Sequence, residues 1–183
     1  MTSEFADAQA MTGRSAIRGA VDHAAFGDLV REHQSMVFSI AQHTLQDREA
    51  AEEVAQDVFL RLYRDLDSIE SPQHMVHWLR RVTANRCIDA IRRRRWRPVP
   101  IDESFPATER EPEDSLAIRT VRRLMGQLPA RQRVVLALRF QEELEIPEIA
   151  RTLEIPLNTV KSHLRRGVEA LRRGMERTGG TES

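Results

Sequence analysis

The sequence predicts an all-α protein of two small helical domains joined by a flexible acidic linker, the C-terminal domain being a helix-turn-helix. Two observations predict it. Apolar residues recur at spacings of three and four along segment after segment, with no convincing strand, hairpin or repeat among them. One stretch, RPVPIDESFPATEREPED, has four prolines, no helical period and strong negative charge, which marks a boundary between two helical units. The expected boundaries are a flexible N-terminal extension over 1–21, a first domain over 22–97, the linker over 98–114, a second domain over 115–175 and a flexible tail over 176–183.

The elements follow in order. Asp22 is a candidate N-cap for a helix whose apolar positions are Phe26, Leu29, Val30, His33, Val37, Ile40 and Ala41, ending near Leu45. In REAAEEVAQDVFLRLYRDL, Ala51, Val54, Val58, Phe59 and Leu62 form a buried stripe and leave an acidic outer surface. Ser71-Pro72 biases the backbone out of helix and marks a loop. A long third helix then places Met75, Trp78, Leu79, Val82, Cys87, Ile88 and Ile91 near a core and gathers arginines towards its C-terminal end, where the helix dipole favours cations. Beyond the linker, a helix from about Ser115 to Gln127 precedes one opened by Pro129 in its first turn.

The last segment, Leu128 to Arg173, encodes two short helices at a tight turn. Ile149, Ala150 and Leu153 share one side of the first, and Val160, Leu164, Val168 and Leu171 form the stripe of the second, with Pro156 at the junction. Burying that stripe turns Asn158, Thr159, Lys161, Ser162, Arg165 and Arg166 outward, offering amide, hydroxyl and cationic donors to phosphates and base edges. An amphipathic hairpin with merely solvated charges has the same spacing. The turn calls for a left-handed residue, usually glycine, and the sequence puts Glu154 there at a cost of about 1 kcal/mol.

Composition bounds the rest. With 183 residues, 40% apolar and 31% charged, the chain is expected to be soluble and globular. No run approaches the roughly 20 apolar residues of a membrane span, and the N-terminus lacks the apolar centre of a signal peptide, so membrane insertion is not expected and the cytoplasm is. Cys87 is the only cysteine, which excludes an intrachain disulfide and argues against a cysteine-based zinc site. The 28 basic and 28 acidic residues cancel in sum but are segregated in sequence. Leu45 to Glu70 carries eight acids against three arginines, and Arg80 to Arg97 carries eight arginines against Asp89 alone. Such blocks suit one surface for a basic protein and others for nucleic acid, whose affinity derives largely from phosphate neutralisation.

Taken together, the two halves resemble the extracytoplasmic-function group of bacterial sigma factors, of the sigma-70 family, over residues 22–175. AAEEVAQDVFLRLYRDL is similar to the family's second conserved region, HWLRRVTANRCIDAIRRRR to its third and fourth segments, and LPARQRVVLALRF with EIARTLEIPLNTVKSHLRRGVEALRR to its C-terminal domain. The resemblance implies a factor that binds core RNA polymerase and directs promoter-specific initiation. It implies that Glu49, Glu52, Glu53, Gln56 and Asp57 dock on the clamp helices of the large polymerase subunit, and that the flap is a further contact. Recognition and opening of the proximal promoter element would fall to Asn85, Arg86 and the arginines Arg92, Arg93, Arg94 and Arg95, with the loop Ser68 to His74 cradling an extruded base. Asn158, Thr159, Lys161, Ser162, Arg165 and Arg166 would read the distal element. An anti-sigma factor is the implied regulatory partner, one that could hold the chain at the inner face of the membrane. The linker acids Asp102, Glu103, Glu109, Glu111 and Glu113 would thread towards the polymerase active centre, or serve only as a spacer.

Other functions fit less well. A stand-alone regulator shares the helix-turn-helix, but a phosphate-receiving domain needs buried parallel strands and a lysine, and Lys161 is the chain's only lysine. His74 and His77 share a helix face without enough partners of suitable spacing for zinc, and no phosphate-binding glycine loop or nucleophile motif is present. No cofactor and no catalytic residue are expected. Trp78 reads as core rather than as a stacking platform, and Trp96 as exposed.

Overall fold

The computed structural model describes residues 23–96 and 116–179. The N-terminal extension with Asp22, the linker acids and the last four residues of the chain lie outside the described residues, as do the side chains of Arg95 and Trp96. Among the described residues seven α-helices follow one another: α1 (His23–Leu45), α2 (Arg48–Asp65), α3 (Pro72–Trp96), α4 (Leu116–Gln127), α5 (Ala130–Phe140), α6 (Ile146–Leu153) and α7 (Leu157–Gly179). A single 3-10 turn, Leu66–Ser68, separates α2 from α3, and no strand occurs among the described residues.

The helix starts have local causes. Asp47 caps α2 by accepting the Ala50 amide at 2.9 Å. Glu145 and Glu148 form a reciprocal capping box at α6, whose Pro147 sits in the first turn. Pro129 occupies the N-cap of α5, one place before the first-turn position expected of it. Two boundaries differ from expectation. α3 begins at Pro72 rather than near Met75, because proline at a first helical position needs no amide partner and Ser71 Oγ accepts the His74 amide at 3.1 Å. α7 runs to Gly179, past the expected end at 175.

Among the described residues three left-handed ones turn the chain between helices, and none is glycine: Gln46 (φ 59°) before α2, Glu143 (φ 52°) between α5 and α6, and Glu154 (φ 51°) between α6 and α7. The expected strain at Glu154 is therefore present, its amide closing α6 onto the Ala150 and Arg151 carbonyls.

α5 organises the packing. Its residues Arg133 to Leu138 are all buried, and Val134, Val135 and Leu138 are wholly so. A run of six buried residues spans more than a full turn and must be covered on every side, and this one is: α1 and α3 pack on α5 from the first half, α6 and α7 from the second. One apolar cluster therefore runs from Val37, Ile40, Val58 and Leu79 through Val134 and Leu138 to Ile149 and Val160. The two halves share a core. Arg133, the buried cation of α5, is satisfied by the carbonyls of Leu128 and Gly126. A smaller cluster of Met125, Leu128 and Leu136 seats α4 against α7. There α7 comes close enough that a Cβ on Gly174 would stand 2.4 Å from Leu124 Cδ2, and one on Gly167 2.9 Å from Leu136 Cδ1.

Trp78 packs at the margin of the shared core, and Cys87 is fully buried. Burial pushes the Cys87 thiol up to about 12, so it stays protonated at neutral pH.

Candidate nucleic-acid interface and docking surface

The expected recognition residues lie on α7 opposite its buried stripe. Val160 is fully buried and Leu164, Val168 and Leu171 pack partly, while Asn158, Lys161, Arg165 and Arg166 are exposed. Thr159 and Ser162, expected to face outward as well, are only half-exposed. In α6, Ile149 is fully buried and Ala150 and Leu153 partly, joined by Thr152 at the buried face. The helix pair is held by the Glu154 turn and by the Pro156 carbonyl, which accepts the Thr159 amide at 2.8 Å and so starts α7.

The proximal set lies on α3. Asn85, Arg92, Arg93 and Arg94 are exposed, whereas Arg86 is half-buried with its Nε buried and unpartnered. Arg94 is held by Asp47 at 2.9 Å, so the capping residue of α2 also fixes the arginine-rich end of α3. Burial pushes the Asp47 carboxyl up, but the Ala50 amide, Arg94 and the Glu49 amide together outweigh it and hold the group below its ordinary value of 3.8. The expected cradle from Ser68 to His74 is not one loop. Ser68 ends the 3-10 turn, Gln73 and His74 belong to the first turn of α3, and His74 Nδ1 accepts the Glu70 amide at 3.2 Å, which tightens the bend.

Earlier along α3, two arginines meet the second half. Arg80 pairs with Glu142 at 3.5 Å and Arg81 with the turn residue Glu154 at 2.7 Å. Glu142 is half-buried: burial raises its pKa, and Arg80 and His43 pull it back only in part. Beside these pairs runs a cleft of about 550 Å³ lined by His33, His77, Arg80, Glu148 and Arg151. Sequence spacing gave no sign of these contacts, since each joins residues on opposite sides of the linker.

On α2, Glu49, Glu52, Glu53 and Gln56 are exposed and Asp57 half-exposed, a single face opposite the buried Ala51, Val54, Val58 and Leu62. Glu52 is paired with Arg48 at 3.0 Å. Beside this face, α1 and α2 frame an apolar groove of about 990 Å³ with Phe38, Phe59, Leu60 and Tyr63 on its walls. Leu60 is 57% and Tyr63 45% exposed, the Tyr63 ring standing edge-on to Phe26 at 5.1 Å. Sequence reading found the acids and missed the groove. The signal was the set of large apolar residues of α2 that fall off its buried stripe.

His74 and His77 form no metal cluster, and no group of three or more metal-ligating side chains occurs among the described residues. No helix among those residues is long and apolar enough to cross a membrane.

Two family models match the chain, sigma-70 region 2 over residues 29–97 and sigma-70 region 4 over 118–171. The ECF RNA polymerase sigma factor SigW of Bacillus subtilis is 30% identical over 168 residues, spanning 83% of this chain and 89% of that protein. The chain belongs to the extracytoplasmic-function group of the sigma-70 family. The ECF sigma factor SigM of Mycobacterium tuberculosis is 31% identical over 155 residues, covering 84% of this chain and 79% of that protein. The fold is that of the sigma factor RpoE of Bartonella quintana, solved in complex with the anti-sigma factor NepR, with a TM-score of 0.67 at 19% identity over 82% of this chain and 96% of that one. CnrH in complex with the cytosolic domain of CnrY gives a TM-score of 0.63 at 21% identity, covering 97% and 100%. As an ECF sigma factor, the chain acts in promoter-specific transcription initiation.

Proposed function

We propose that this sigma factor contacts a promoter at two points while bound to core RNA polymerase, α7 reading the distal element and α3 the proximal one. The observation that carries the reading is the solvent edge of α7. Asn158, Lys161, Arg165 and Arg166 stand exposed on the second helix of a helix-turn-helix, with no carboxylate partner among the described residues. Such a helix presents its N-terminal turns to the major groove, where an arginine can take guanine bidentately and the neighbouring polar side chains fix register. Asn85 and Arg86 contact the proximal element, and Arg92, Arg93, Arg94 and Arg95 supply the positive charge that holds melted DNA.

The acidic face of α2, with Glu49, Glu52, Glu53, Gln56 and Asp57, docks on a basic partner, the clamp helices of the polymerase, and the apolar groove beside it adds buried area to that contact. The second half meets the flap. The protein supplies no reaction chemistry, since the core polymerase makes the RNA. An anti-sigma factor in the cytoplasm or at the inner membrane face holds the factor inactive, as such partners are seen bound to the related folds.

Reconstituted transcription with core polymerase on a promoter library tests the whole reading: discrete start sites sharing two spaced elements are expected, and initiation from no promoter would sink it. Reversing charge at Glu53 and Asp57 together should abolish capture of core enzyme at physiological salt. Unchanged capture would remove α2 as the docking helix.

A further inference from the structure

Beside the recognition edge of α7, and sharing Arg166 with it, stand two basic side chains that neither the recognition set nor the docking face includes, His163 and Arg131. His163 lies on the flank of α7 turned towards α5, half-buried, with Nδ1 buried and without a hydrogen-bond partner. The charges that reach its ring are those of Arg131, in the first turn of α5, and Arg166, one turn further along α7. Both arginines are exposed and make no ion pair among the described residues. α4 and α6, the other helices packed on α7, bring no carboxylate to the ring among those residues.

Two guanidiniums gathered without a counter-charge repel one another, and they disfavour the charged form of the imidazole between them until an anion arrives. Burial first, and then Arg131 and Arg166, hold His163 below its ordinary value of 6.5, so it is neutral in the free protein at neutral pH. We propose that Arg131, His163 and Arg166 form one binding site for a phosphate of the DNA backbone, and that His163 takes up a proton as the phosphate arrives. This rests on the reading of α7 as the distal-element helix. It adds a contact from a second helix and a dependence on pH.

The linkage has a definite sign. A phosphate set among the three groups reverses the repulsion that kept the imidazole neutral, so the bound state holds its proton more tightly than the free state. Affinity for DNA therefore rises as pH falls, by at most about tenfold per pH unit for one proton, and levels off once His163 is already charged in the free protein. Wild type and variant differ at position 163 alone, so the comparison isolates His163.

The test is fluorescence anisotropy of the holoenzyme on a duplex bearing the selected distal element, between about pH 8 and about pH 6. The wild-type Kd should fall several-fold more than that of His163→Gln, whose curve loses this component. His163→Arg, with a permanent charge, should bind at pH 8 as tightly as wild type does at pH 6. Arg131→Ala should weaken binding alike on all sequences and lower the salt slope by about one. A His163→Gln curve with the wild-type slope, or no gain from His163→Arg at high pH, overturns the proposal. Arg165→Ala separates the two levels: if it loses sequence-specific binding while His163→Gln keeps the wild-type slope, only the phosphate site falls. If Arg165→Ala changes nothing either, the assignment of α7 falls with it. Thermal melts showing both His163 variants folded as wild type exclude a simple loss of structure.

Discussion

α3 and α7 both carry cations along a helix proposed to meet DNA, yet the two sets stand in different company. On α3, Arg80 is matched by Glu142, Arg81 by Glu154 and Arg94 by Asp47. On α7, Lys161, Arg165 and Arg166 have no carboxylate partner among the described residues. A cation already paired must give up its partner before it neutralises a phosphate, whereas an unpaired one releases only counterions. The second half of the chain is thus electrostatically ready for DNA. The first half spends part of its charge on holding the fold closed, since Glu142 and Glu154 both come from the second half.

The most severe way to break that arrangement is through the core the halves share. Leu138 is fully buried in α5 between them, and Leu138→Ala should cost about 2–5 kcal/mol. Urea denaturation followed by helical circular dichroism should show one cooperative transition shifted as a whole. A second transition left at the wild-type midpoint would mean that the halves fold independently and that the α3 pairs are incidental.

That shared core explains what the sequence could and could not reveal. Positions spaced along one helix were legible: Val37, Val54, Leu79 and Val160 were all expected in a core and are buried. Glu154 was legible because the two helices of the motif fix where the turn must fall. The run VVLAL in α5 carried a signal of burial on every side, but periodicity does not say which helices cover it. Gln46 and Glu143 take left-handed geometry with no glycine or asparagine to announce it. The Arg80 and Arg81 pairs, Arg131 beside His163, and the groove under Leu60 all join residues far apart in sequence, and spacing rules are silent there.

The contrast between the two helices predicts unequal losses on truncation. Arg165→Ala should weaken holoenzyme binding to the distal element by about 1–3 kcal/mol and shift base preference if it reads a base, or weaken it uniformly if it touches phosphate. Arg94→Ala should cost less on the proximal element, because the native arginine must leave Asp47 to bind. Binding-site selection and anisotropy on both elements would measure it. Equal losses would erase the distinction.

Glu154 tests the closed arrangement more gently. Glu154→Gly relieves about 1 kcal/mol of left-handed strain and gives up an exposed pair with Arg81 that contributes about 0–1 kcal/mol. Thermal stability should hold steady or rise by a few degrees. A clear fall in melting temperature would show that the Arg81 contact outweighs the strain.

The smallest effect belongs to Asp47, and its sign follows from its lowered pKa. A carboxyl held below its ordinary value of 3.8 stabilises the fold at all higher pH and loses that contribution as pH falls through the lower, folded value. Asp47→Asn keeps a good N-cap for α2 but removes the charge that holds Arg94. The variant should be slightly less stable than wild type at pH 7, and the gap should close on acidification below about pH 4. Freed of its partner, Arg94 should then bind single-stranded proximal DNA somewhat better at neutral pH, moving α3 towards the unpaired condition of α7. A stability gap that persists unchanged in acid would mean that Asp47 acts through packing rather than charge.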